Sequence, residues 1–268
     1  SPPMIDLHCH LLPGIDDGAT DLDMALRMAR MAVDDGITTL ACTPHIYPGL
    51  FENDTAGILA QIEKLRGHLA EAGIPLELTW GADAHVSPDL LPRLKAGTVP
   101  SLADSRYFLL EPPHHVAPPQ FDSYVFALIA AGYVPVITHP ERLSWIEDHY
   151  PTFCALSDKG AWMQVTAGSL TGRFGKAARY WGERMLDEGR VDILATDAHH
   201  PERRPPLLAE GREAAAHWVG AEESVHLVET RPLGILRNLA PEAMPQRIRN
   251  PAASRGKGLW QRLFGRAA

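Results

Sequence analysis

The 268 residues, 45% hydrophobic and 22% charged, have ordinary globular composition and enough length to bury one large α/β core. The net charge is −8 although residues 246–268 hold six basic residues and no acid, so the remaining body is more acidic still, which argues against nucleic-acid binding. Cys9, Cys42 and Cys154 are an odd number without C-x-x-C spacing, so neither a disulfide framework nor a thiolate zinc site is indicated, and a reducing compartment fits best.

In chain order, Ser1-Pro2-Pro3 reads as a short leader before Met4, with no charged segment and apolar run to mark a signal peptide, so a cytoplasmic location is expected. Ile5 to His10 forms the first strand. Thr20 is the expected cap of a helix in which Leu22, Leu26, Ala29 and Val33 recur at helical spacing, and Gly36 stops it. Ile37 to Cys42 is a β-branched strand bounded by Pro44. The pattern then repeats: helices end at Gly73, Gly132, Gly160 and Gly189, and strands follow at Leu76–Trp80, Tyr133–Thr138, Ala161–Val165 and Val191–Thr196, with Tyr107–Leu110 adding another. The longest uncharged run, Ser123 to His139, is interrupted by Gly132 and Pro135 and is too short to span a bilayer; it reads as a buried helix and a buried strand. Strands alternating with helices predict parallel β/α units with right-handed crossovers. About seven such units suit a barrel better than an open sheet, and no glycine-rich dinucleotide fingerprint or P-loop follows any strand.

Chemistry-bearing residues recur at the C-terminal ends of these strands. His8 and His10, two residues apart, share one strand face. His45 follows the second strand, Asp83 the third and Glu111 the fourth, His139 ends the fifth, and Asp197 with His199 ends the seventh. Each alone has a bland reading: a hydrogen-bonded histidine, or an acid capping a helix. Their recurrence at positions that share one rim in a β/α barrel favours a multinuclear metal site. Nitrogen and oxygen donors without thiolates suit Mn²⁺, Fe²⁺ or Zn²⁺, and this many ligands imply two to three ions. Such ions activate water and clamp an in-line displacement at phosphorus. Arg142 and Arg204, each just beyond a ligand, match phosphate oxygens in geometry and charge and favour a phosphate ester over an amide. No cysteine is followed six residues on by arginine, so a cysteine-type phosphatase is excluded and Cys9 reads as core.

The motifs Met4-Ile5-Asp6-Leu7-His8-Cys9-His10, Asp16-Asp17-Gly18, Thr43-Pro44-His45, Gly49-Leu50-Phe51-Glu52, Ser105-Arg106-Tyr107-Phe108-Leu109-Leu110-Glu111, Thr138-His139-Pro140-Glu141-Arg142, Thr196-Asp197-Ala198-His199 and Arg204-Pro205-Pro206 occur in order between Met4 and Leu239. Together they resemble the PHP (polymerase and histidinol phosphatase) superfamily, most closely its bacterial protein-tyrosine phosphatases of capsular and exopolysaccharide clusters. The resemblance implies a single-domain, distorted (β/α)₇ barrel of PHP type over residues 1–245, followed by a basic, flexible tail at 246–268. It implies three divalent ions, commonly manganese. His8, His10, Glu111 and Asp197 would hold one ion, Glu111, His139 and Asp83 a second, and Asp17, His45 and His199 the third. Arg142 and Arg204 would grip the phosphate and, with Asp197 and His199, make up the catalytic set; the nucleophile would be a metal-bridging hydroxide. The implied activity is hydrolysis of protein phosphotyrosine, the partner being a membrane-associated tyrosine kinase that controls polysaccharide export. Two departures stand out: Asp83 is one methylene shorter than the family's usual glutamate, and the Ile46-Tyr47-Pro48-Gly49 loop lacks the basic residues common there, leaving Tyr47 to stack on a phenol ring.

Two rival functions remain at this point: a histidinol-phosphate or other small-molecule phosphomonoesterase, and a non-catalytic metal-bound regulatory protein. In the tail, Leu259, Trp260, Leu263 and Phe264 recur at helical spacing among Lys257, Arg262 and Arg266, which suits either peripheral contact with an anionic membrane or a mobile tail touching another subunit's acidic body.

Overall fold

The computed structural model describes residues 3–248, so what was expected of the tail falls outside the described residues except at Gln246, Arg247 and Ile248. Parallel strands form a ring: β1 (Met4–Cys9), β2 (Ile37–Cys42), β3 (His45–Ile46), β4 (Glu77–Trp80), β5 (Asp83–His85), β6 (Tyr107–Glu111), β7 (Val134–Thr138), β8 (Trp162–Thr166) and β9 (Ile193–Ala195). Hydrogen bonding orders them as β1-β2-β4 and β3-β5-β6-β7-β8-β9. The second and third expected strands are each interrupted, at Thr43-Pro44 and at Gly81-Ala82, so nine segments occupy seven places among the described residues. Pro44 cannot donate to the ladder, and its carbonyl instead accepts from the Asp83 N–H at 2.9 Å. Gly81 lies so close to the loop below that a Cβ there would be 2.8 Å from Leu102 Cδ2. One parallel bridge, Cys9 with Ala198, joins the last strand's extension to the first, with Asp197 N donating to His8 O (2.8 Å) and His10 N to Ala198 O (2.9 Å). This is the distorted seven-place β/α barrel anticipated above.

Strand alternation sorts the core into two layers. Tyr107, Leu109, Val134, Val136, Trp162 and Ile193 join Ile5 and Leu7 in an inner cluster, while Phe108, Leu110, Ile137, Met163, Val165 and Leu194 join the larger cluster shared with the helices. The face that carries Tyr107 and Leu109 also carries Glu111, and the face of Trp162 also carries Gln164. The lower half of the ring is therefore packed and apolar and its upper rim polar. Ile235 and Met244, from the C-terminal part of the described chain, complete the inner cluster.

The enclosing helices are α1 (Leu22–Asp35), α2 (Thr55–Ala72), α3 (Leu90–Ala96), α4 (Phe121–Ala130), α5 (Ile146–Asp158), α6 (Ala167–Leu170), α7 (Lys176–Asp187), α8 (Ala209–Val219), α9 (Ala221–Val225) and α10 (Arg231–Leu236). The cap of α1 is Asp21 rather than Thr20: the Asp21 carboxylate accepts from Met24 N at 2.9 Å, and the Thr20 hydroxyl turns to the Met24 sulfur. Gly36 and Gly73 end α1 and α2 at φ +103 and +67, which only glycine adopts freely. The uncharged run divides as expected into α4 and β7, and among the described residues no helix is long and apolar enough to cross a membrane.

Candidate metal centre

The strand ends bring the expected residues to one rim. His8 and His10 project to the same centre, their Nε2 atoms 3.2 Å apart. Each is held from behind: His8 Nδ1 donates to Gln164 Oε1 at 2.6 Å, and His10 Nδ1 to Asp16 Oδ2 at 2.8 Å. A partner on Nδ1 fixes the tautomer whose Nε2 lone pair can bind a cation. Cys9 between them packs into the helix-side core, away from the inward Leu7 two residues earlier, because the register of β1 shifts between Asp6 and Cys9.

Four overlapping groups of ligand atoms result: His8, His10, Asp83 and Asp197; His10, Asp17, His45 and His199; His45, Asp83 and Glu111; and Glu111, His114 and His139. Asp83 stands beside His8, where the resemblance implied Glu111. Despite its shorter side chain it reaches the middle of the rim, with Oδ2 3.0 Å from His8 Nε2 and 3.4 Å from His45 Nδ1. Glu111 lies 2.9 Å from His45, 3.4 Å from His139 and 3.6 Å from His114. Asp17 lies 3.2 Å from His199 and 3.3 Å from His45. Asp197 Oδ1 is 3.0 Å from His10 and 3.1 Å from His8, while its Oδ2 accepts from Arg142 (2.6 Å) and Arg204 (2.8 Å).

Two buried ligand atoms here, Asp83 Oδ1 and His139 Nδ1, have no hydrogen-bond partner among the described residues, while His45 Nδ1, Glu111 Oε2 and Asp197 Oδ1 meet only other ligand groups of the cluster. Unsatisfied buried polar atoms are costly, and ligand groups that converge on one another fit divalent cations. The charges agree. Burial alone would raise Asp197, but His8 and Arg204 hold it well below the usual carboxylate range; Glu111 is likewise held down by His114, His139 and His45 against burial. Burial alone would lower His45, yet Asp17 and Glu111 push it up to about 12, and Asp197 and Asp83 raise His8 well above its ordinary value. These carboxylates would favour a divalent cation in place of the protons. Burial lowers His139 to about 4, and burial with the nearby His10 lowers His199, both in the direction of the neutral imidazole that binds a cation.

Three participants lay outside the predicted set. His114 sits in an irregular loop after β6, where Pro112-Pro113 hides any periodicity, though its proximity to Glu111 in sequence was a signal. Asp16, visible in the Asp16-Asp17-Gly18 motif, supports His10 and also accepts from the backbone of His45 (3.0 Å) and Gly18 (2.8 Å); against burial, these and His10 hold its carboxyl at about 2. Gln164 reads in sequence as one polar residue in an apolar strand, and only the register of β8 shows its purpose.

The rim opens into a pocket of about 390 Å³ whose lining includes the polar Asp17, Glu111, Arg142, Asp197, His199 and Arg204 together with Tyr47, Leu50, Phe51 and Val116. Leu50 and Val116 are 63% and 69% exposed, and the Tyr47 ring lies against His85 with centroids 3.8 Å apart and planes tilted by 33°.

The profile of the capsular polysaccharide synthesis family CpsB/CapC matches residues 4–237. The tyrosine-protein phosphatase YwqE of Bacillus subtilis is 34% identical over 235 residues, 88% of this chain and 92% of the relative. The tyrosine-protein phosphatase CpsB of Streptococcus pneumoniae is 28% identical over 242 residues, 87% of this chain and 98% of the relative. A structure from work on these two proteins, described there as unique metal-dependent tyrosine phosphatases, superposes with a TM-score of 0.84 at 33% identity, covering 92% of this chain and 100% of that one. Dihydropyrimidinase from Brevibacillus agri, at 12% identity and TM-score 0.57 over 94% of this chain and 74% of its own, shares the barrel fold alone.

Proposed function

The chain belongs to the CpsB/CapC family of capsular polysaccharide synthesis, and on that footing we propose that it is a metal-dependent protein-tyrosine phosphatase whose catalytic domain is residues 1–245. The observation that carries this reading is the meeting of two guanidinium groups with a buried histidine and carboxylate cluster in a pocket whose lining also includes Tyr47, Leu50, Phe51 and Val116. In this reading His8, His10, Asp17, His45, Asp83, Glu111, His139, Asp197 and His199 hold two or three divalent ions, manganese by preference, with His114 as a further ligand to the Glu111 and His139 group. Bound there, the ions polarise the phosphoryl oxygens and lower the pKa of a water.

The chain's own residues do the rest. Arg142 and Arg204 present donors to phosphate oxygens, and Arg204 Nε, buried and without a hydrogen-bond partner among the described residues, is available for one of them. Asp197 holds both arginines through one oxygen and faces the histidines with the other. Tyr47, Leu50, Phe51 and Val116 take the aryl ring. A phenol with pKa about 10 leaves readily, so no dedicated acid is required. A cysteine nucleophile is not supported, because Cys9 and Cys42 are buried in the core and burial pushes the Cys42 thiol up to about 12.

The protein substrate in this reading is a membrane-associated tyrosine kinase that governs polysaccharide export, met at the cytoplasmic face. The test is a parallel assay of phosphotyrosine peptide, phosphoserine peptide and histidinol phosphate with Mn²⁺. Phosphotyrosine should be preferred, and turnover should disappear with chelator and return with Mn²⁺. A wide margin for histidinol phosphate, or no turnover with any divalent metal, would overturn the reading.

A further inference from the structure

Phe174 lies in a loop that the metal chemistry does not use, yet its ring is where the two phosphate-facing arginines meet. Arg142 follows β7, Arg204 follows β9, and Phe174 belongs to the segment between α6 and α7 that follows β8, the strand between them. The Arg142 guanidinium carbon is 4.0 Å from the Phe174 ring centroid and that of Arg204 5.6 Å, both within the range of cation–π attraction.

The loop is built to hold that ring in place. Gly172 and Gly175, at φ +89 and +93, turn the chain on either side of it. Arg173 N donates to Gly168 O at 2.9 Å, and the Arg173 side chain pairs with Glu210 of α8 at 2.7 Å. Gly168 leaves so little room that a Cβ would be 3.2 Å from Phe174 Cε2. Gly211 on α8 is pressed against Ala167 in the same way, with a Cβ there 2.5 Å from that of Ala167.

The arginine pair needs such support. Two guanidinium groups share a single carboxylate oxygen, Asp197 Oδ2, and their like charges repel each other. The negative face of an aromatic ring attracts both cations without offering a hydrogen-bond acceptor that would compete with phosphate. Asp197 fixes one side of each fork, and the Phe174 ring supports the pair elsewhere.

We propose that Phe174 is a positioning residue that aligns Arg142 and Arg204 for the phosphate group; the inference rests on the phosphatase reading of this site. The test uses the full chain loaded with Mn²⁺, p-nitrophenyl phosphate as substrate and inorganic phosphate as competitive inhibitor. Phe174→Leu, at a half-buried position, should weaken phosphate inhibition and lower kcat/KM by about two- to thirtyfold, with metal content per chain unchanged. Phe174→Tyr, which keeps the ring face, should stay near the parent. In an Arg142→Ala background the Phe174→Leu loss should shrink, because the residue it acts through is gone.

Phosphate inhibition unchanged in Phe174→Leu while Arg142→Ala weakens it would overturn the inference and leave the phosphatase reading standing. So would a Phe174→Leu loss of equal size in both backgrounds, or one accompanied by loss of metal, since either describes a structural role. If Arg142→Ala and Arg204→Ala both leave phosphate inhibition intact, the phosphate-site reading itself fails and the inference falls with it.

Discussion

His139 and Asp197 hold backbone conformations that residues with a Cβ avoid, at φ +37 and +51, and both stand at strand ends in the ligand cluster. Left-handed geometry at a non-glycine residue costs about 1–3 kcal/mol and persists where the surroundings over-determine it. Here it turns the side chains back over the rim, where a regular strand continuation would send them on alternate faces. Relief of that strain is measurable. His139→Gly should be about 1 kcal/mol more stable in urea denaturation than His139→Ala, although both lose turnover; equal stabilities would show that the backbone is not strained there. At this scale the ligand types were legible because histidine, aspartate and glutamate at strand ends are chemically conspicuous. Gln164 was not legible, because an amide supporting a ligand is distinguished only by what it touches.

The β1–α1 loop shows why a short element can matter as much as a strand. Asp16 supports His10, Asp17 reaches His45 and His199, and Gly18 lets the loop close over His10. A Cβ at Gly18 would stand 2.3 Å from His10 O and 2.5 Å from His10 Cβ, contacts that cannot exist without moving the ligand. Gly18→Ala should therefore destabilise by about 1–3 kcal/mol and weaken metal binding. Gly67→Ala, in the interior of α2 with nothing within 4 Å of the added carbon, should be neutral or stabilising by up to about 1 kcal/mol. Thermal denaturation and metal titration of the two proteins separate them, and equal losses would mean that Gly18 is not a close-packing position. The helix stops at Gly36 and Gly73 were readable for the same stereochemical reason, whereas the breaks at Thr43-Pro44 and Gly81-Ala82 were not. Sequence shows an apolar strand ending there, and only pairing with the neighbouring strand shows that it resumes.

On the scale of the whole molecule, the barrel gathers into one pocket residues from Asp17 to Arg204, and its acidic body contrasts with the basic residues 246–268. Clustered Lys and Arg near apolar side chains are drawn to anionic lipid. Sedimentation with vesicles of anionic phospholipid should carry down the intact chain and leave residues 1–245 in solution. Equal sedimentation of the two would end a membrane role for the tail.

Sequence by itself determined the β/α alternation, the approximate strand ends, and the chemical kind of the site, because these depend on local periodicity and on which side chains can bind cations and phosphate. Tertiary structure alone decided the partners: Asp83 beside His8, His114 beside Glu111, Asp16 and Gln164 behind the histidines, and Phe174 under the arginines. Each of those relations joins residues whose distance is set by barrel register and loop closure, and spacing along a chain does not encode distance across a ring.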